Sequence, residues 1–210
     1  RSALGSSQLQ ALNTDQVATL TNNTVASLTS TQLNYLTTTQ VGYLSDAVVS
    51  GLSSTQLQGL TTTLVNALNT AQVRALTSTE VSKLTTGQIA AMRTDQIAAL
   101  DVADVVGMST DQVTALTASQ VGALTFAMVK AMSTDQTKAL GADISSLNQI
   151  KALTSAQTAA LTTDQIAALT TTQIQDLTSV AAQALTTDQV AKLSTDQISK
   201  LTAANITAMS

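Results

Sequence analysis

Residues 161–177 read LTTDQIAALTTTQIQDL, and residues 185–201 read LTTDQVAKLSTDQISKL. In both stretches a Leu returns every eight residues and is followed by Thr or Ser, a Gln, and then Val or Ile. The same spacing carries Leu or Met from Leu4 to Leu140 and, after a five-residue phase shift, from Leu153 to Met209. With this anchor as position one, the octad reads Leu, Thr/Ser/Asn, Thr, Asp/Thr, Gln, Val/Ile, any residue, Ala. The chain is therefore an internal repeat over almost all of its 210 residues.

The octad predicts a helix start rather than a strand or one continuous helix. A half-buried strand would alternate apolar and polar residues, and this unit does not. In a continuous helix the anchors would rotate by about 80° per repeat and would form no steady apolar stripe. Position two and position five, as in Thr162 and Gln165, form the capping box, and Leu161 and Ile166 around them fit the hydrophobic staple. We therefore expect one helix of about one and a half turns in each octad.

The few charged residues follow the same register. Seven of the 13 acidic residues stand at position four, and seven of the nine basic residues stand at position seven or eight. Short helices favour acidic side chains near their first turn and basic ones near their last, because of the helix dipole. The charge pattern thus supports short helices independently of the caps.

Helices this short are not stable alone, so their stability has to come from stacking in an array. The fold class predicted is an all-α solenoid of one-to-two-turn helices, one per eight-residue repeat. We expect the anchor, the Val or Ile at position six and the small residue at position eight to face a shared interior. Residues 1–210 are expected to form a single continuous solenoid, a segment of a longer array, whose phase break at residues 141–145 is absorbed as a loop or longer turn.

Some octads carry an apolar residue where the consensus has Gln. Core variation is the favoured interpretation, and a contact surface around Phe126, or around Tyr35 and Tyr43, is the alternative. The octads concerned contain Val48, Leu64, Met128 and Ala181.

The composition argues against most chemistry. The chain has no His and no Cys, which removes the usual ligands of zinc and haem and the usual acid–base and thiol catalysts. Asp101 with Asp104, and Asp188 with Asp196, are the carboxylate pairs that a catalytic or calcium site would use, but helix capping already explains them. We expect no enzyme activity and no catalytic, cofactor-binding or metal-binding residues. A net charge of −4 opposes nucleic-acid binding, and no apolar run is long enough to cross a membrane.

Three structural functions remain. The first is a rigid spacer or stalk of a surface or secreted protein, and the second is a filament or surface-layer subunit that stacks through uncapped ends. The third is an ice- or carbohydrate-binding solenoid that uses rows of Thr. Partners are then other copies of the chain or neighbouring repeats of a longer one.

The runs at 161–177 and 185–201 resemble octapeptide-repeat arrays of very large bacterial secreted or surface proteins of the adhesin-like kind. The resemblance extends over almost the whole chain. It implies an extracellular or cell-surface location and supplies no site residues.

Overall fold

The computed structural model describes the backbone of residues 5–209 and the side chains of residues 5–207. The chain forms two compact units, divided in the sequence after Met108. Every regular element of the described residues is a short helix and none is a strand, which confirms the all-α prediction. The first anchor, Leu4, and the side chain of the last one, Met209, lie outside the described residues.

The first unit contains thirteen of the described helices and the second unit contains the rest. In the first unit they are α1 Ser6–Gln10, α2 Thr14–Ala18, α3 Asn22–Ala26, α4 Ser30–Leu33, α5 Thr38–Tyr43, α6 Asp46–Ser50, α7 Ser54–Gly59, α8 Thr62–Ala67, α9 Thr70–Ala75, α10 Ser78–Val81, α11 Thr86–Ala91, α12 Thr94–Ala99 and α13 Val102–Gly107. In the second unit they are α14 Thr110–Thr114, α15 Ala118–Ala123, α16 Phe126–Ala131, α17 Thr134–Ala139, the 3₁₀ helices η1 Gly141–Ser146 and η2 Ile150–Ala152, α18 Ser155–Ala160, α19 Thr163–Ala168, α20 Thr171–Asp176, α21 Ser179–Gln183, α22 Thr187–Ala191, α23 Thr195–Ser199 and α24 Ala203–Met209.

Each α-helix begins directly after position two of its octad, as the capping box predicts. At α5 the Thr37 hydroxyl accepts the N–H of Gln40 at 3.2 Å, and Gln40 Oε1 accepts the N–H of Thr37 at 2.8 Å. The α-helices are four to seven residues long, and outside the phase break one of them lies in each described octad. The prediction of one-to-two-turn helices is therefore confirmed.

Within each unit, helices three octads apart pack against each other. Examples are α5 with α8 in the first unit and α18 with α21 in the second. The anchors and the position-six residues are buried between them, as Leu68 and Val73 illustrate. The prediction that these two positions form the interior is confirmed.

Position eight is different from what the sequence suggests. It is mostly half-buried or exposed, and the third buried position is the Gln at position five. Position eight nevertheless lies close to a neighbouring helix. A Cβ built on Gly59 would overlap the side chain of Ser30, and one built on Gly51 would stand 2.7 Å from Asn22 Nδ2. A small residue is therefore required at Gly59, at the rim of the solenoid, whereas other octads carry a larger residue such as Tyr43 at the same position.

The phase break is helical rather than a loop. Residues 141–146 form η1 and residues 150–152 form η2, with a turn between them, and η1 begins at Gly141, whose φ of +55° glycine tolerates best. Ile144, Leu147 and Ile150 are all at most 2% exposed. Their three-residue spacing matches the 3₁₀ helix, in which side chains at i and i+3 lie on one line. The phase break thus keeps a buried apolar face, although the distance in sequence between the anchors on either side of it is shorter than two regular octads.

Candidate functional site

The candidate site is the Gln at position five of the octad, whose buried side chain makes the same hydrogen bonds in many octads. Gln72 is the example described first. Gln72 is 0% exposed. Its Oε1 accepts the N–H of Asn69 at 2.8 Å, which closes the capping box of α9. Its Nε2 donates to two carbonyl oxygens at the end of α5, that of Val41 at 2.8 Å and that of Leu44 at 2.7 Å. One side chain therefore serves two helices.

The same arrangement recurs along both units, and we call it the glutamine ladder. In each case Nε2 reaches carbonyl oxygens at the C-terminal end of a helix about four octads earlier, mostly 31 and 28 residues back. In the first unit the ladder includes Gln40, Gln56, Gln72, Gln88 and Gln96. In the second unit it includes Gln157, Gln165, Gln173, Gln189 and Gln197.

The ladder solves the main problem of a fold made of very short helices. An α-helix leaves four N–H groups and four C=O groups without partners inside it, and a helix of six residues consists almost entirely of such ends. The Gln carboxamide has an acceptor oxygen for one set and two donor hydrogens for the other. Each ladder residue thus satisfies an N-terminal N–H of its own helix and two C-terminal carbonyls of another. Among the described residues no buried side-chain N or O atom lacks a partner.

Sequence reasoning identified the capping half of this arrangement and missed the bridging half. The sequence does indicate the bridging contacts, through its preference for Gln over Glu at position five. A capping box accepts either residue, and Glu would also suit the helix dipole. Position five nevertheless holds Gln in sixteen octads and Glu in one, at Glu80. Only Gln carries the donor hydrogens, so this bias indicates a second partner for the side chain.

Several octads lack a Gln at position five, and in four of them a buried apolar side chain takes its place. Val48, Leu64, Met128 and Ala181 are at most 4% exposed, which confirms that they vary the core. Phe126, expected as part of an alternative contact surface, is 48% exposed, and Tyr43 is 54% exposed. Both rings extend from separate octads into solvent.

Asp104 is a buried acidic residue at position five, where most octads carry the ladder Gln. It is 2% exposed, and its Oδ2 accepts the N–H of Asp101 at 2.7 Å. Burial is the main cause that raises the pKa of Asp104, with smaller contributions from the negative charges of Asp101 and Glu80. A carboxylate has no hydrogen to donate, so Asp104 performs the capping half of the Gln role only.

The carboxylate pairs considered from the sequence do not assemble into a metal centre. Asp101 and Asp104 serve as an N-cap residue and its capping partner, while Asp188 and Asp196 lie exposed in the first turns of separate helices. Within residues 5–207, no three His, Cys, Asp or Glu side chains are grouped so that they could hold a metal ion.

Two cavities of the described region lie in the second unit. One of about 480 Å³ is lined by small residues of α15 and by Ser146 and Asn148. Another of about 370 Å³ lies at the phase break, beside Lys138, Gly141 and Asp164. Among the described helices, none has the length and apolar character needed to span a bilayer.

Part of the chain is similar to a known repeat family. Residues 65–102, 89–126 and 142–171 match the family model of the ALTTAQ repeat, which covers less than half of the chain. The six letters of that name correspond to positions eight and one to five of the octad, as in Ala67–Gln72, and they include both the N-cap and the ladder Gln. No curated protein matches the chain. By its octads, its short stacked helices and these three matches, the chain is a helical-repeat scaffold similar to the ALTTAQ repeat.

Proposed function

We propose that this chain is a non-enzymatic structural segment, a rigid spacer that holds other parts of a bacterial surface or secreted adhesin-like protein apart. The observation that carries the proposal is the glutamine ladder. In each unit the ladder connects successive turns of the solenoid by pairs of buried hydrogen bonds of about 2.7–3.2 Å.

Such bonds favour a stiff array for a physical reason. To bend or stretch a unit, neighbouring turns must separate, which leaves buried carbonyls without partners and exposes anchor side chains. An unsatisfied buried polar group costs about 1–3 kcal/mol. Because the cost recurs at each ladder residue, the stacked form resists extension along its length.

The composition supports a scaffold as well. Charged residues make up 10% of the chain and aromatic residues 1%, and there is no His or Cys to support common enzyme chemistry. The surface or secreted location rests on the resemblance to octad arrays of adhesin-like proteins.

Small-angle X-ray scattering of the dilute chain tests the spacer. An elongated, rod-like particle is expected, and a compact sphere would overturn the proposal. An antibody against the chain tests the location in cells that produce the parent protein. It should label intact cells or the secreted fraction, and labelling only after lysis would contradict a surface function.

The Thr-row function stays a separate prediction. Thermal hysteresis of freezing in the presence of the purified chain is the measurement that would support it. Assembly into filaments also stays a separate prediction, and fibres that form as the protein concentration rises would support it.

A further inference from the structure

We propose that the spacer lengthens under tension in two stages, with its first unit yielding at a lower force than its second. The inference rests on the proposed spacer function, because a spacer transmits any pull between the parts that it holds apart. It follows from a difference between the two units in how completely the glutamine ladder is built.

Within the first unit, the ladder is interrupted at alternate octads. From residue 40 to residue 88, Gln at position five alternates with Val48, Leu64 and Glu80. The first two are buried and apolar, and ionised Glu80 only accepts, taking the N–H of Thr77 at 2.7 Å. Asp104 likewise only accepts. Of the nine position-five residues from 40 to 104, five therefore bridge two turns, namely Gln40, Gln56, Gln72, Gln88 and Gln96.

Within the second unit, the ladder is more continuous. Of the seven position-five residues from 157 to 205, five are bridging Gln residues, and Ala181 interrupts them. Asn205 donates one further bond, to the carbonyl oxygen of Leu177 at 3.3 Å. Any four consecutive octads between 157 and 197 contain three bridging residues, whereas any four between 40 and 88 contain two. Successive turns are therefore joined by more buried hydrogen bonds in the second unit than in the first.

The first unit also has hydrogen bonds between turns at its rim. The Asn34 amide donates to the carbonyl oxygen of Gly59 at 2.6 Å, and the Asn66 amide donates to that of Ala91 at 2.8 Å. These two bonds are exposed, so water replaces them as the turns part. The ladder bonds, such as those of Gln72, are buried, and water reaches them only after the turns have separated. The ladder bonds are therefore the ones that distinguish how strongly the two units resist a pull.

Hydrogen bonds and apolar packing oppose a pull in different ways. A hydrogen bond weakens steeply once its atoms leave their preferred distance and angle, so its free energy is lost over a short displacement and the opposing force is large. Apolar packing is non-directional and is lost gradually as surface meets water, which also applies to Val48 and Leu64. The anchors are buried alike in both units, since Leu68 and Leu169 are each 3% exposed. Packing thus does not compensate for the ladder bonds that the first unit lacks.

Stretching the whole chain in optical tweezers, by handles at its two ends, tests the proposal. Slow stretching should give two lengthening events, the first at about two thirds of the force of the second, in proportion to the ladder residues in four octads. Residues 1–108 and 109–210 give nearly equal gains in length, so variants have to identify the unit that yields. Lengthening in a single event, or in two events at equal forces, would overturn the inference.

The double variant Val48→Gln/Leu64→Gln adds two ladder residues to the first unit. At the ladder spacing of 31 and 28 residues, the amide introduced at residue 64 meets the carbonyls of Leu33 and Leu36, and the one at residue 48 meets the corresponding pair. The force of the first event should rise by about half, while that of the second event stays the same. A variant that leaves the first event unchanged, or that raises the second instead, would overturn the inference.

The matched control is Ala47→Gln/Thr63→Gln. It places the same two side chains at the exposed residues directly before the two sites, outside the ladder, so both forces should be those of the wild-type chain. If the control raises the first force as much as Val48→Gln/Leu64→Gln does, the buried amides are not the cause and the inference fails.

The reverse variant Gln165→Leu does not depend on whether Gln is tolerated at residues 48 and 64. It gives residues 157–189 of the second unit the alternating ladder of the first, and circular dichroism verifies that the chain still folds. The force of the second event should fall to about that of the first, and an unchanged force would contradict the inference. The scattering test of the spacer is separate: a compact particle would refute the spacer, whereas a rod whose units yield together would refute only the order of yielding.

Discussion

Replacing Gln72 by Glu separates the two functions of a ladder residue. The Gln72→Glu side chain retains an oxygen for the N–H of Asn69, so the cap of α9 is kept. It loses the two donated bonds to the carbonyls of Val41 and Leu44, at 2.8 and 2.7 Å. Because the site is 0% exposed, water cannot replace them.

The size of the effect follows from those two carbonyls. Each buried acceptor left without its amide costs about 1–3 kcal/mol. The Val41 carbonyl keeps a backbone bond from Leu44, at 3.2 Å, which moves the estimate to the lower part of that range. Burying the introduced carboxyl beside two carbonyl dipoles adds to the cost and favours its protonated form. We expect the variant to lose about 2–5 kcal/mol at neutral pH and to recover part of this in acid.

Urea unfolding followed by circular dichroism at 222 nm measures the change, at a protein concentration low enough to prevent association. Gln16→Glu is the matched control. Gln16 makes the same capping contact but is exposed and has no carbonyl partners among the described residues, so its unfolding free energy should change by less than about 0.5 kcal/mol. Equal shifts for the two variants would refute the ladder as a source of stability and leave only the capping box.

Three further tests concern a glycine, an anchor and a buried acid. Gly59→Ala should cost about 1–3 kcal/mol in thermal or urea unfolding because its methyl group overlaps a facing helix, whereas Gly87→Ala, which has open space around it, should gain about 0.4–1 kcal/mol. Leu169→Asp places a carboxylate at a 3%-exposed anchor and should cost about 4 kcal/mol or more, while Val180→Asp, at a 62%-exposed site, should leave the melting temperature nearly unchanged. Asp104→Gln should raise stability at pH 7, where the ionised, buried carboxylate is unfavourable. Because the pKa of Asp104 is raised in the folded state, the wild-type protein becomes more stable as the pH falls through that pKa and the carboxylate is protonated. The stability advantage of Asp104→Gln should therefore shrink in acid. An advantage that does not depend on pH would contradict this account.

The features that were predictable from the sequence are those encoded within one octad. Thr37 and Gln40 are three residues apart, so their capping contact needs no knowledge of the tertiary fold. The charge pattern was local too: Asp15 lies in the first turn of α2 and Lys138 in the last turn of α17, as the helix dipole predicts. Helix type, length and start were therefore accessible.

The bridging contacts were not accessible in the same way. Gln72 and Val41 are 31 residues apart, and nothing within one octad states how many octads complete a turn. In each unit, helices three octads apart pack together while ladder bonds reach the helix four octads earlier, so a turn takes between three and four octads. That number depends on where amides and carbonyls can meet across the stack. A sequence pattern shows that Gln is required, but not which carbonyl it meets.

The phase break shows how the ladder accommodates a change in repeat length. The five-residue step removes three residues from the octad spacing, and the bonds of Gln157 reach back 28 and 25 residues instead of 31 and 28. Gln173 then reaches the carbonyls of Ile144 in η1 and of Leu147 directly after it, two buried residues of the phase break. By Gln189 the usual spacing has returned. Because each ladder residue meets only carbonyls about one turn away, a deletion disturbs a single turn and the following turns regain their register, which is the nearest-neighbour behaviour of a solenoid.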